Sequence, residues 1–187
     1  MNAQPVPPPS PERAEGPPSL SRAAKIPLGI RVGIILVIVG LAFIGVIFAW
    51  GYYNLRGLTS LQDLVRLFQG QYALAAVQSL LLEVGFFLIF DGILRILPRM
   101  RRWTRVGPFL ILLGGVLLAA GDLAGFVYAP SMYGPADLSN IGQVLPTVAA
   151  LAEIGSLVVE TGMILSLIAV ALGALARRIP PTPSAPA

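Results

Sequence analysis

The chain has 187 residues, 56% hydrophobic and only 12% charged, with a mean hydropathy of +0.80; soluble domains carry about 25% charged residues, so this is the composition of a membrane protein. It contains no cysteine and no histidine, which excludes a disulfide framework and thiol chemistry, His-ligated haem, zinc or copper, and the commonest general base near neutral pH. The net charge of +4 calls for no nucleic-acid partner, because the placement of the basic residues accounts for it.

The first 20 residues hold Pro5, Pro7, Pro8, Pro9, Pro11, Pro17 and Pro18. They lack the apolar content to order themselves, so residues 1–25 are expected to form a disordered, proline-rich tail. Residues 26–50 are the first predicted span. No residue from Val32 to Trp50 is charged, close to the roughly 20 residues that cross the hydrocarbon as a helix. That run exceeds the roughly 7–15 residues of a signal-peptide core, so the segment reads as an uncleaved anchor.

Residues 51–71 are more polar and patterned. Leu61, Leu64, Val65 and Phe68 share one helical face, and Gln62, Asp63, Arg66 and Gln69 take the other. Ser60 with Asp63 forms a capping-box start and Gly70 a stop. The pattern predicts a short amphipathic helix lying at the interface, the alternative being an extension of the next span.

The second span covers residues 72–97 and carries Glu83, Asp91 and Arg95; Pro98, Arg99, Arg101, Arg102 and Arg105 follow it. The third, residues 107–128, contains Asp122 and a GxxxG pair, Gly121 and Gly125, that can admit a neighbouring helix. Residues 129–143, with Pro130 and Pro135, read as a loop. The fourth span, residues 145–176, carries Glu153 and Glu160 and ends at Arg177 and Arg178; residues 179–187 are a second proline-rich tail. Residues 26–178 are thus expected to be one all-α, four-helix transmembrane bundle.

Orientation follows from the arginines. With the N-terminus in the cytoplasm, that side holds Arg13, Arg22, Lys25 and Arg31, the arginines of the second loop, and Arg177 with Arg178. The outer side keeps only Arg56 and Arg66, as the positive-inside rule requires. Tyr52, Tyr53, Tyr72, Tyr128 and Tyr133 then fall near the outer boundary as an aromatic belt. Both termini are expected in the cytoplasm and the protein in the cell membrane. The basic clusters set topology and can touch anionic lipid head groups.

The two halves also match. A displacement of 74 puts Gly40 on Gly114, Gly51 on Gly125, Asp63-Leu64 on Asp137-Leu138 and Gln69 on Gln143. After a gap of four, Glu83-Val84-Gly85 falls on Glu153-Ile154-Gly155 and Gly92 on Gly162. This reads as a tandem repeat of two helical hairpins, related by an axis along the membrane normal.

The acids are the unusual chemistry. At about 1.5 Å per residue, Glu83 lies roughly 21 Å from Leu97, Asp122 roughly 21 Å from Pro108 and Glu160 roughly 24 Å from Ala176, which predicts a cluster of three at one level. Asp91 precedes Arg95 by four residues, the spacing of a helical ion pair. By depth Glu83 pairs with Glu160; by the repeat it pairs with Glu153. A carboxylate in low dielectric takes up a proton, finds a cation or meets water. The trio therefore has three readings: hydrogen bonding between helices, a proton or cation relay, or docking points for a basic or polar membrane partner. No nucleophile, metal set or phosphate-cradling loop accompanies it, so no enzymatic activity, cofactor or metal is expected. The expected role is a structural or accessory membrane component with the bilayer, other membrane subunits or further copies of itself as partners. The alternative is a small proton- or cation-linked transporter or channel.

Overall fold

The computed structural model describes residues 26–97, 102–133 and 138–178; the two proline-rich tails lie outside these. Among the described residues there are four α-helices, α1 (Leu28–Leu55), α2 (Leu61–Ile96), α3 (Val106–Tyr133) and α4 (Leu138–Arg178), with a single 3-10 turn (Arg102–Arg105) leading into α3. Each of the four is long and apolar enough to cross a membrane, and no strand occurs among the described residues. The fold is the expected all-α four-helix class.

Its arrangement is serial. α1 packs on α2, α2 on α3 and α3 on α4, with a brief contact between α2 and α4; among the described residues α1 meets neither α3 nor α4. The only buried residues of α1 are Gly33, Gly40 and Gly51. Glycine lets helix backbones meet where lipid supplies no hydrophobic drive for side chains to do so. A Cβ on Gly33 would lie 2.7 Å from the Gly85 carbonyl oxygen, and one on Gly85 would lie 2.9 Å from that of Gly33.

The α3–α4 seam is built alike. A Cβ on Gly107 would meet the Gly162 carbonyl oxygen at 3.0 Å, and one on Gly162 that of Gly107 at 2.8 Å. Val37 covers Gly85 as Ile111 covers Gly162, Ile89 covers Gly33 as Ser166 covers Gly107, and Leu82 covers Gly40 as Val159 covers Gly114. These matches displace the first helix by 74 and the second by 77, whereas the sequence alignment displaced the second by 70. By these contacts Glu83 holds the position equivalent to that of Glu160, the partner that depth had indicated, rather than to that of Glu153.

The separate interfacial helix does not form; its residues open α2. The predicted start is present, with Ser60 Oγ accepting from the Asp63 amide at 3.2 Å and Asp63 Oδ2 accepting from the Ser60 amide at 3.0 Å. The predicted stop fails for a packing reason. A Cβ on Gly70 would lie 2.5 Å from Cε2 of Trp50, and the same indole donates from Nε1 to the Leu67 carbonyl at 3.3 Å. Gly70 is the seat of a ring from α1, and the helix continues past it. Gln62 and Arg66 are exposed as expected, while Leu67 is the residue most deeply buried in this stretch.

The predicted loop at residues 129–143 is also mostly helical: α3 runs through Pro130 and α4 begins at Leu138 with Pro146 inside it. Pro130 has no N–H for the carbonyl four residues back, that of Phe126. The Gln69 side chain supplies it from α2, with Nε2 donating to the Phe126 carbonyl at 3.3 Å. Gln69→Leu is therefore expected to cost about 1 kcal/mol, the net value of one hydrogen bond. In a Pro130→Ala background the cost should vanish, because the alanine then present donates its own backbone amide. Denaturant unfolding of the single and double variants in detergent measures the difference.

Candidate functional site

Two of the three helix seams are closed by glycine, and the middle one, α2 against α3, carries polar groups. From the end near the α1–α2 turn inward, Gln69 reaches the Phe126 carbonyl and the Tyr72 ring packs over Gly125, where a Cβ would lie 2.6 Å from the ring carbons. Ser79 Oγ then donates to Asp122 Oδ2 at 3.4 Å. Below them Glu83 packs against Gly115, where a Cβ would lie 2.6 Å from Glu83 Cγ. Gly114 and Gly115 are adjacent but serve different neighbours, since successive helical residues point about 100° apart: Gly114 meets α4 and Gly115 makes the recess for Glu83.

Glu83 is 7% exposed. Its Oε2 is a buried side-chain oxygen with no hydrogen-bond partner. Buried polar atoms are nearly always paired, so this orphan calls for an explanation. Asp122 is half-buried on the same seam. It stands seven residues beyond Gly115, about 10 Å along α3, so it does not share the level of Glu83. Counting inward from the helix ends assumed that the spans start at one height; the side-chain pairing places Gly115, not Asp122, opposite Glu83.

Glu160 departs from expectation differently. It follows Val159, which meets Gly114, so its level is close to that of Glu83. It is exposed on the outside of α4, however, and its carboxylate accepts from Ser156 Oγ of its own helix at 3.4 Å. The face that α4 turns to α3 is fixed by Gly155, Val159 and Gly162, and Glu160 lies one residue off it. Among the described residues no three acidic side chains gather into a group that could hold a metal ion. The three-acid cluster is thus resolved into a seam pair, Glu83 and Asp122, and an outward-facing Glu160. Glu153 is exposed as well. The Asp91–Arg95 ion pair is present, with Nε to Oδ2 at 2.6 Å.

Sequence reasoning gave Ser79 and Gly115 no role and placed Gln69 only on a polar face and in the repeat. The adjacent Gly114-Gly115 pair was the available signal for Gly115: two neighbouring glycines in a span leave room on two faces. Fold and site together define a polytopic α-helical integral membrane protein with ionisable groups inside its later spans. The chain matches no protein-family model, no curated protein and no solved structure.

Proposed function

We propose that this protein is a non-enzymatic component of the cell membrane, both termini cytoplasmic, that assembles laterally with another membrane-embedded partner through α4. The observation behind this reading is the position of Glu160: an acid on the outer face of a span, at the level of a buried acid, with only a serine of its own helix beside it. Ionisable groups within spans almost always face a bundle interior or water. A polar or basic group on a partner helix would supply that interior. The matching glycine seams support a tandem duplication of one hairpin as the origin of the fold. In mild detergent the full chain is expected to co-purify with a partner or run as an oligomer. Glu160→Leu should abolish this association, and Glu160→Gln, which still hydrogen-bonds, should retain part of it. Unchanged association in Glu160→Leu refutes the reading.

A second reading rests on the orphan oxygen of Glu83. A seam between two repeated units is where transporters of repeated architecture bind their coupling ions, and the α2–α3 seam would carry protons or cations by way of Glu83 and Asp122. Flux of protons and alkali cations into proteoliposomes, lost in Glu83→Gln, is its test.

A further inference from the structure

The two hairpins share a groove at the same end, and its chemistry differs between them. In the first hairpin a cavity of about 210 Å³ is lined by Pro27, Gly29, Leu88, Asp91, Gly92 and Arg95. In the second, a cavity of about 200 Å³ lies against Trp103, Leu165, Ile168, Ala169 and Leu172, among others. The displacement of 74 that carries Gly33 onto Gly107 also carries Gly29 onto Trp103. The displacement of 77 that carries Gly85 onto Gly162 carries Leu88, Asp91, Gly92 and Arg95 onto Leu165, Ile168, Ala169 and Leu172. The acid and base of the first groove are replaced by isoleucine and leucine in the second.

The first groove opens at a helix boundary. Pro27 is the N-cap residue of α1, and Arg95 stands one residue before the end of α2. Two spans that begin and end here place the groove where hydrocarbon gives way to head groups. Arg95 donates Nε to Asp91 Oδ2, which steadies the guanidinium and leaves its terminal nitrogens unused by that pair. The arginine side chain is 66% exposed and the aspartate 13%, so the cation faces outward and the anion lies behind it. A steadied guanidinium is suited to phosphate, which it can grip through two parallel hydrogen bonds. At Gly29 an added Cβ would find only the Leu88 carbonyl oxygen, at 3.9 Å, so that wall is open.

We propose that the first groove binds the phosphate group of a membrane phospholipid through Arg95, a contact for which the second groove has no equivalent residue. The probes are a phospholipid and a galactosyl diacylglycerol with identical acyl chains, added to the detergent-purified full chain and read by native mass spectrometry. The phospholipid should be retained in preference to the galactolipid and should not be displaced by inorganic phosphate. Arg95→Gln should weaken retention about tenfold, the size of one lost charge-assisted hydrogen bond. Leu172→Gln, at the equivalent position of the other groove, should leave it unchanged. Asp91→Asn, whose amide oxygen can still accept from Arg95 Nε while the negative charge is gone, should bind at least as tightly; this variant separates loss of the site from loss of the ion pair. Equal retention of both lipids, displacement by inorganic phosphate, wild-type retention in Arg95→Gln or weakened retention in Asp91→Asn would each overturn the proposal.

Discussion

Leucine at Gly85 or at Gly162 is expected to break the hairpin that contains it, at a cost of about 3 kcal/mol or more, while leucine at Gly45 leaves stability nearly unchanged. The contrast comes from what each new side chain would strike. At Gly85 the first added carbon meets the Gly33 carbonyl oxygen and the Val37 amide nitrogen; at Gly162 it meets the Gly107 carbonyl oxygen and the Ile111 amide nitrogen. Backbone atoms cannot rotate aside as a side-chain tip can, so the helices must separate. At Gly45 nothing lies within 4 Å, and exchanging glycine for leucine there also gains about 0.5–1 kcal/mol of helix propensity. Unfolding by denaturant in detergent, followed by far-ultraviolet circular dichroism, ranks the three variants. The two hairpins should respond alike, since Gly85 and Gly162 meet equivalent backbone atoms. Packing in a membrane bundle depends on close approach rather than on expelled water, and these glycines are where the helix backbones of each hairpin meet.

The second large effect concerns Glu83 and runs against the usual direction of mutation. Glu83→Leu is expected to be as stable as the wild type or more so, by up to about 3 kcal/mol, because it removes a buried oxygen that makes no hydrogen bond. Gly115→Leu should be strongly destabilising, since its side chain would occupy the space of Glu83. Combining Gly115→Leu with Glu83→Ala should recover part of the loss, the signature of two residues sharing one recess. Asp122→Leu should instead cost about 1 kcal/mol, by stripping the Ser79 hydroxyl of its acceptor. A gain on removing the acid is what the proposed transport reading of Glu83 expects. If Glu83→Leu destabilises as severely as the glycine variants, the carboxyl is part of the scaffold instead.

Much of this architecture could be read from the chain. Four apolar runs of membrane-spanning length, the capping box at Ser60 and the Asp91–Arg95 spacing were all legible, because each depends on local pattern. What escaped depends on a partner distant in sequence. Gly70 and Pro130 look like helix ends until the Trp50 indole and the Gln69 amide are brought beside them by packing. The exposure of Glu160 follows from which face of α4 its glycines turn toward α3, and a shift of one residue along a helix changes that face by about 100°. The level of Asp122 likewise depends on how far α3 slides along α2, which no count within one helix can supply.

The absence of cysteine makes the most direct test a clean one. The central claim is that two glycine-sealed hairpins join along α2 and α3 with Glu83 lodged opposite Gly115. In Glu83→Cys/Gly115→Cys the two Cβ positions lie closer together than the roughly 3.5–4.5 Å that a disulfide spans, so a link closes once the two helices part slightly. Mild oxidation in membranes should link them within one chain, and Gly115→Cys/Glu160→Cys should remain unlinked. A link from Gly115 to Glu160 with none to Glu83 would place the acids the other way round and contradict the account.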